Sequence, residues 1–268
     1  MVLHIDLETF SSVNLKKAGL YKYVQSPDFE ILLFAYAYDN DPVTVIDMAQ
    51  GEKLTEQLIY DLKNPEVIKM AHNAAFEFYC LSKFYVTKLE QWRCSMVHAL
   101  YCGYPASLDA VGEAMNFPQD KKKLGIGRSL IKFFCVPCKP TNKNDQRTRN
   151  LPKHDPERWK LFKEYCRQDV VTERTIEDAL SFYPVPETEW VNWRIDQLIN
   201  INGVAMDIDL IKGALAISDS IRDELEGRAK DITGLDNPNS VAQLKTWIEQ
   251  NSDLELDGLN KQTVADIL

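Results

Sequence analysis

Three short patterns, far apart in the chain, carry residue types that could hold hard metal cations. The first is Asp6-Leu7-Glu8, directly after the apolar stretch Val2-Leu3-His4-Ile5. In an extended strand, side chains at i and i+2 share one face, so two carboxylates meet there. Burying them is costly without compensation, and oxygen donors suit Mg2+ or Mn2+. A strand end with two solvated acids is the plainer reading. The second pattern is His72-Asn73-Ala74-Ala75-Phe76-Glu77, where strand-like sequence gives way to helical spacing. An acid there sits near the carboxyl edge of a sheet, a usual place for sites in α/β folds, or simply complements a helix start. The third is Tyr165-Cys166-Arg167-Gln168-Asp169. On a helix, i and i+4 lie one turn apart on one face, so a phenol and a carboxylate can reach the same point. An amphipathic helix with a surface acid would look the same.

The elements that must bring these residues together can be read from periodicity. Residues 2–9, 29–38, 43–48 and 67–71 read as strands, and 91–94 as a short fifth. The turn Asp39-Asn40-Asp41-Pro42 makes the second and third an antiparallel hairpin. Helical spacing runs through 54–62 and 74–84, and from there to about 182 the chain reads as helices with loops. Residues 139–152 are polar, basic and aperiodic, as a long loop would be. Asp155 is placed to cap a helix with Pro156 in its first turn, running to 180. Pro184-Val185-Pro186 breaks it, and helices follow at about 187–201, 208–230, 240–250 and 261–268, Ser240 and Gln243 forming a capping box. The expectation is an α/β domain, 1–184, built on a mixed five-stranded sheet with flanking helices, followed by a small helical segment, 185–268.

In combination the three patterns are far more specific than apart. Asp-x-Glu in the first strand, Asn-x-x-x-acid after the fourth, and Tyr-x-x-x-Asp in a later helix resemble the DEDD superfamily of 3′→5′ exonucleases, across roughly residues 1–182. That resemblance implies a ribonuclease H-like fold. It implies two divalent cations, Mg2+ or Mn2+, held by Asp6, Glu8 and Asp169 with Glu77 completing the set. Tyr165 matches the tyrosine branch; the histidine branch carries its His five residues before the last Asp, where this chain has Glu164. Glu77 stands where the family usually has Asp, so its carboxylate reaches one methylene further. Beyond the boundary, Trp190…Asp196-Gln197…Ile199-Asn200…Gly203…Asp207 and Asn237-Pro238-Asn239-Ser240-Val241-Ala242-Gln243-Leu244 resemble the start of the thumb of phage-type family A DNA polymerases. The implied partners are a single-stranded or frayed DNA 3′ end and the remainder of a polymerase chain. A ribonuclease D-like exoribonuclease and an inactive DNA-binding module are the competing expectations.

Charge bears on the same question. The formal net charge is −9, unusual for a nucleic-acid binder. Residues 119–174, however, carry 15 Lys and Arg against 7 Asp and Glu, a local +8 that leaves −17 for the rest. Either local phosphate contact or a solvated loop would produce this. Candidate strand contacts are Thr9, Asn73, Phe76, Lys121 and Arg128, with Lys122, Lys123, Lys132, Arg147 and Arg149 as further charges. The six scattered cysteines suggest reduced thiols in a cytoplasmic protein, and Cys135-x-x-Cys138 lacks the second pair of a zinc site. No apolar run reaches the ~18 residues a membrane helix needs, and no secretory leader is expected.

Overall fold

The computed structural model describes residues 1–122 and 125–267, so Lys123 of the basic cluster lies outside the described residues. Five strands, β1 (Val2–Phe10), β2 (Glu30–Tyr38), β3 (Thr44–Asp47), β4 (Ile68–Ala71) and β5 (Trp92–Cys94), form one sheet in the order β3-β2-β1-β4-β5. β2 runs antiparallel to both β1 and β3, while β4 and β5 run parallel to β1. This is the ribonuclease H-like mixed sheet that the sequence reading expects. The helices are α1 (Leu15–Ala18), α2 (Leu20–Gln25), α3 (Glu56–Lys63), α4 (Ala75–Ser82), α5 (Ser95–Tyr101), α6 (Leu108–Ala114), α7 (Gly127–Phe134), α8 (Pro156–Leu180), α9 (Glu187–Asn202), α10 (Ile208–Thr233), α11 (Val241–Asn251) and α12 (Lys261–Ile267). The short α1 and α2, between the first two strands, are additions to the elements expected from periodicity.

Alternation along β1 divides the molecule's interior. Leu3, Ile5 and Leu7 point into a core with Leu58 and Leu62 of α3, Phe78 and Leu81 of α4, and Trp92. The opposite face carries His4, Asp6, Glu8 and Phe10. Directly across on β2 stand Ala37, Ala35 and Leu33, and these belong to a second core with Leu130 and Phe134 of α7 and Trp159, Phe162, Tyr165, Cys166 and Val170 of α8. Ala35 opposite Asp6 and Ala37 opposite His4 leave room for α8 to approach the sheet closely. β2 also gains one residue between its pairings with Glu8 and Thr9, a bulge that bends the sheet where the acids lie.

α8 begins as expected: Asp155 Oδ1 accepts the Arg158 N–H at 3.0 Å, and Pro156 occupies the first turn. Two contacts pin it to the sheet. Asp47 of β3 accepts from Trp159 Nε1 at 2.7 Å and pairs with Lys163 at 3.3 Å. Farther along, Glu173 Oε2 meets His4 Nδ1 of β1 at 2.7 Å, both side chains buried.

The chain forms two compact units, Met1–Gly203 and Val204–Leu268. Pro184-Val185-Pro186 separates α8 from α9, but α9 packs on the first unit: Trp190 joins the α3–α4 core, and Tyr79 donates to the Gln197 carbonyl at 3.4 Å. The division therefore falls at 203/204, some way past the proline break. The second unit comprises α10, α11 and α12. Asp207 caps α10 by accepting the Leu210 N–H at 2.9 Å, and Gly234, left-handed at φ 65°, ends it. Ser240 caps α11 through the Gln243 N–H at 3.4 Å, the one half of the expected capping box that is seen among the described residues. No helix among the described residues is long and apolar enough to cross a membrane.

Candidate active site

Asp6 and Glu8 point from β1 toward α8, and α8 answers with Asp169. One carboxylate oxygen from each of the three lies within 4.8 Å of the others, the only such group among the described residues. Asp6 is half-buried; Glu8 and Asp169 are buried. Glu77, from the first turn of α4, is not part of that 4.8 Å group but lies close enough to feel the charges of Asp6 and Asp169. It is 3 % exposed, and its Oε2 is buried without a hydrogen-bond partner. Burial, and then the charge of Asp6, push the Glu77 carboxyl well above the usual carboxylate range, although the backbone amide of Leu7 pulls it down. Four acids gathered in so little solvent repel one another, and a divalent cation is the natural compensation. The donor set fits: the converging ligand atoms are carboxylate oxygens, the hard donors that Mg2+ and Mn2+ prefer.

Two thiols close on this cluster, and sequence reading missed both. Cys166 Sγ lies 3.3 Å from Asp6 Oδ2, and Cys135 Sγ lies 3.7 Å from Glu8 Oε2. Burial pushes both thiols well above their usual range. They therefore act as protonated, weak S–H donors to the acids. Cys138, in contrast, donates to the Arg147 carbonyl at 3.3 Å, so the Cys-x-x-Cys pair has two separate tasks.

Tyr165 sits one turn before Asp169 on α8 and is 2 % exposed. Its ring lies parallel to that of Phe162, with centroids 6.2 Å apart. Its hydroxyl donates to Asp169, and its acidity is suppressed, first by burial and then by the charges of Asp169, Glu8 and Asp6. A phenol so placed is biased toward its neutral form and can hold a proton toward the carboxylates.

The turn from β4 into α4 is fixed tightly. His72 has both ring nitrogens engaged, by Ser95 Oγ and by the Ala106 carbonyl, each at 2.9 Å. Asn73 is exposed and left-handed at φ 64°, a conformation that Asn tolerates better than most residues. Phe76 is half-buried and packs toward Tyr23 at 6.4 Å.

The remaining expected contacts divide. Lys121 is half-buried and Lys132 and Arg128 are exposed, with Arg128 on the first turn of α7. Thr9 is turned to the opposite face of β1 from Asp6 and Glu8, buried, with its hydroxyl 2.9 Å from Tyr23 Oη. Arg147 and Arg149 are committed to the fold. Arg147 donates to Asn150 at 2.8 Å, while Arg149 pairs with Glu30 at 2.5 Å and stacks 3.9 Å over the Phe10 ring. Arg147 therefore braces the 139–152 loop internally, while Arg149 holds that loop against the end of β1 and the start of β2. Beside Cys135 a groove of about 460 Å3 opens, lined by Ser11, Val13, Asn14, Tyr23 and Ile131.

No family model matches the chain. Over 268 residues it is 48% identical to the DNA polymerase of Bacillus phage SP02, which covers 99% of this chain; the chain spans 41% of that polymerase's length. Among solved structures, Brucella melitensis NrnC with bound Mg2+ aligns with 77% of this chain and 89% of its own, at 14% identity and a TM-score of 0.46. Escherichia coli RNase D, an exoribonuclease, aligns with 76% of this chain and 46% of its own, at 14% identity and a TM-score of 0.42.

Proposed function

We propose that this chain is the 3′→5′ exonuclease part of a phage-type family A DNA polymerase, belonging to the tyrosine branch of the DEDD exonucleases and followed by the start of the thumb. The observation that carries the reading is the convergence of Asp6, Glu8 and Asp169, from two elements remote in sequence, within 4.8 Å. The orphaned Glu77 Oε2 beside them supports it. So does the strong identity to a DNA polymerase over nearly the whole chain.

In this reading Asp6, Glu8, Glu77 and Asp169 would hold two divalent cations, Mg2+ or Mn2+. When bound, such ions lower the pKa of a water and neutralise charge at the leaving 3′ oxygen. The protein's own groups do the positioning. Tyr165, biased toward its neutral form and hydrogen-bonded to Asp169, orients the attacking water at the scissile phosphate. Cys166 and Cys135 hold the Asp6 and Glu8 carboxylates from behind. The terminal nucleotide of a single-stranded or frayed DNA end occupies the groove beside Cys135, which Tyr23 lines with Phe76 packed against it; Asn73, Lys121 and Arg128 are the further residues proposed to contact the strand.

The test is incubation of 3′-labelled single-stranded DNA with Mg2+, Mn2+ or a chelator. Stepwise shortening from the 3′ end that stops with chelator is expected. Asp6→Ala combined with Asp169→Ala should slow it by several orders of magnitude, because two ligands of the centre go. Wild-type cleavage by that double mutant, purified free of other nucleases, would sink the site assignment. A parallel RNA strand degraded in preference to DNA would redirect the reading to an exoribonuclease.

A further inference from the structure

Gly127 opens α7 and is buried against Tyr165. A Cβ built on it would fall 2.1 Å from Tyr165 Cε2, 2.6 Å from Cζ and 2.8 Å from Cδ2. Carbon atoms meet at about 3.5–4.0 Å, so the phenol ring lies in space that any other residue at 127 would fill. The glycine has no conformational excuse. It is the first residue of a helix with no left-handed backbone, so local conformation does not call for glycine there. Its use here is explained by the ring lying on it.

Neither partner has room to withdraw. On α8 the Tyr165 ring stacks parallel to Phe162, and Phe162 in turn stacks on Phe134 of α7 at 5.3 Å. Leu130 and Phe134, on the same face of α7 as Gly127, are 1 % and 0 % exposed in the core they share with α8. α7 is thus fastened to α8 one turn beyond the glycine, and a new methyl group would be pressed into the ring. The ring would have to rotate or slide along Phe162, and either motion carries the hydroxyl away from Asp169.

We infer that Gly127 is a positioning residue for Tyr165: its missing side chain is the seat that sets the phenol hydroxyl at the edge of the carboxylate cluster. The inference rests on the proposed role of Tyr165, and the experiment separates the two. Exonuclease rates on single-stranded DNA are measured for wild type, Tyr165→Phe, Gly127→Ala and the double variant, together with Mn2+ binding by calorimetry. Tyr165→Phe keeps the ring and should slow turnover by about 10- to 1,000-fold, the scale of one lost transition-state hydrogen bond. Gly127→Ala should lower kcat toward the same level, with KM and Mn2+ affinity within about threefold of wild type. In the Tyr165→Phe background, where there is no hydroxyl to misplace, Gly127→Ala should cost less than about threefold. General structural damage would instead multiply through both backgrounds.

A full-speed Gly127→Ala beside a slow Tyr165→Phe overturns the seat and leaves the role of Tyr165 standing. A full-speed Tyr165→Phe overturns both. Should Gly127→Ala fail to melt cooperatively, Gly127→Ala with Tyr165→Leu decides the matter. Removing the ring should restore a melting transition close to that of Tyr165→Leu alone, and no recovery means that the ring was not what the methyl group struck.

Discussion

At the scale of single residues, Glu77 shows most clearly how the fold and the chemistry conflict. A buried acid whose Oε2 has no partner is a liability without a cation. Its carboxyl is pushed up by burial and by Asp6, so the folded, metal-free protein favours the protonated form more than the unfolded chain does. The stability that Glu77 contributes is then fully present below the ordinary carboxylate range and is lost as pH rises through the raised value. Glu77→Gln should make the metal-free protein more stable near neutrality, by about 1–3 kcal/mol, the cost of an unsatisfied buried polar group. It should also flatten the decline with pH, and it should weaken Mn2+ binding. Urea unfolding with chelator between pH 4 and 8, and calorimetry with Mn2+, check the two halves; unchanged stability in the variant would argue that Glu77 is not strained. Sequence alone located Glu77, because the acid four residues after Asn73 is a local pattern. The thiols of Cys135 and Cys166 were not legible, because their carboxylate partners lie 127 and 160 residues away.

At the scale of elements, the question is how one strand and one helix bring acids together in register. Along β1, every second residue advances about 6.6 Å; along α8, every fourth advances about 6 Å. The two ladders nearly match, so His4, Asp6 and Glu8 can run alongside Glu173, Asp169 and Tyr165. The His4–Glu173 contact fixes which rung faces which. Burial lifts the Glu173 carboxyl above its ordinary range in spite of the hydrogen bond with His4. Glu173→Ala should lower stability by about 1–3 kcal/mol and weaken Mn2+ binding, whereas Glu173→Gln should recover most of both. Urea denaturation and calorimetry on the two variants test this, and equal metal affinity in wild type and Glu173→Ala would show that the register is held elsewhere. The pairing of Tyr165 with Asp169 was readable because helical spacing is local. The extra residue on β2 was not readable, because a bulge leaves no trace in alternation over so short a span. α1 and α2, of 4 and 6 residues, are too brief for a period to declare itself.

At the scale of the whole molecule, the proline break and the limit of the first unit are different places. Trp190 lies past the prolines yet is buried in the α3–α4 core, with Arg93 stacked 5.2 Å over its ring. A chain ending at residue 203 should keep the stability of the first unit and shorten single-stranded DNA at the full-length rate. A chain ending at 186 loses Trp190 and should be destabilised by about 3–5 kcal/mol, the range for removing a large core aromatic. Thermal melts of both truncations test it: similar melting points would mean that α9 adds little to the core. The break was legible because proline acts locally. The packing of α9 was not, because the spacing of Trp190 and Trp193 shows an apolar stripe without showing what it covers.

The six thiols also divide the molecule for the bench. Cys80, Cys94, Cys135 and Cys166 are buried, while Cys102 and Cys138 are half-buried, and all are free. A maleimide dye added to the native protein should attach at those two accessible positions, and mass spectrometry should find six adducts after denaturation. Serine can therefore replace Cys102 to leave a single handle at Cys138, three residues from the thiol that touches Glu8. A fluorophore there would give an optical test of whether the proposed DNA end arrives beside it, without any change to the carboxylates.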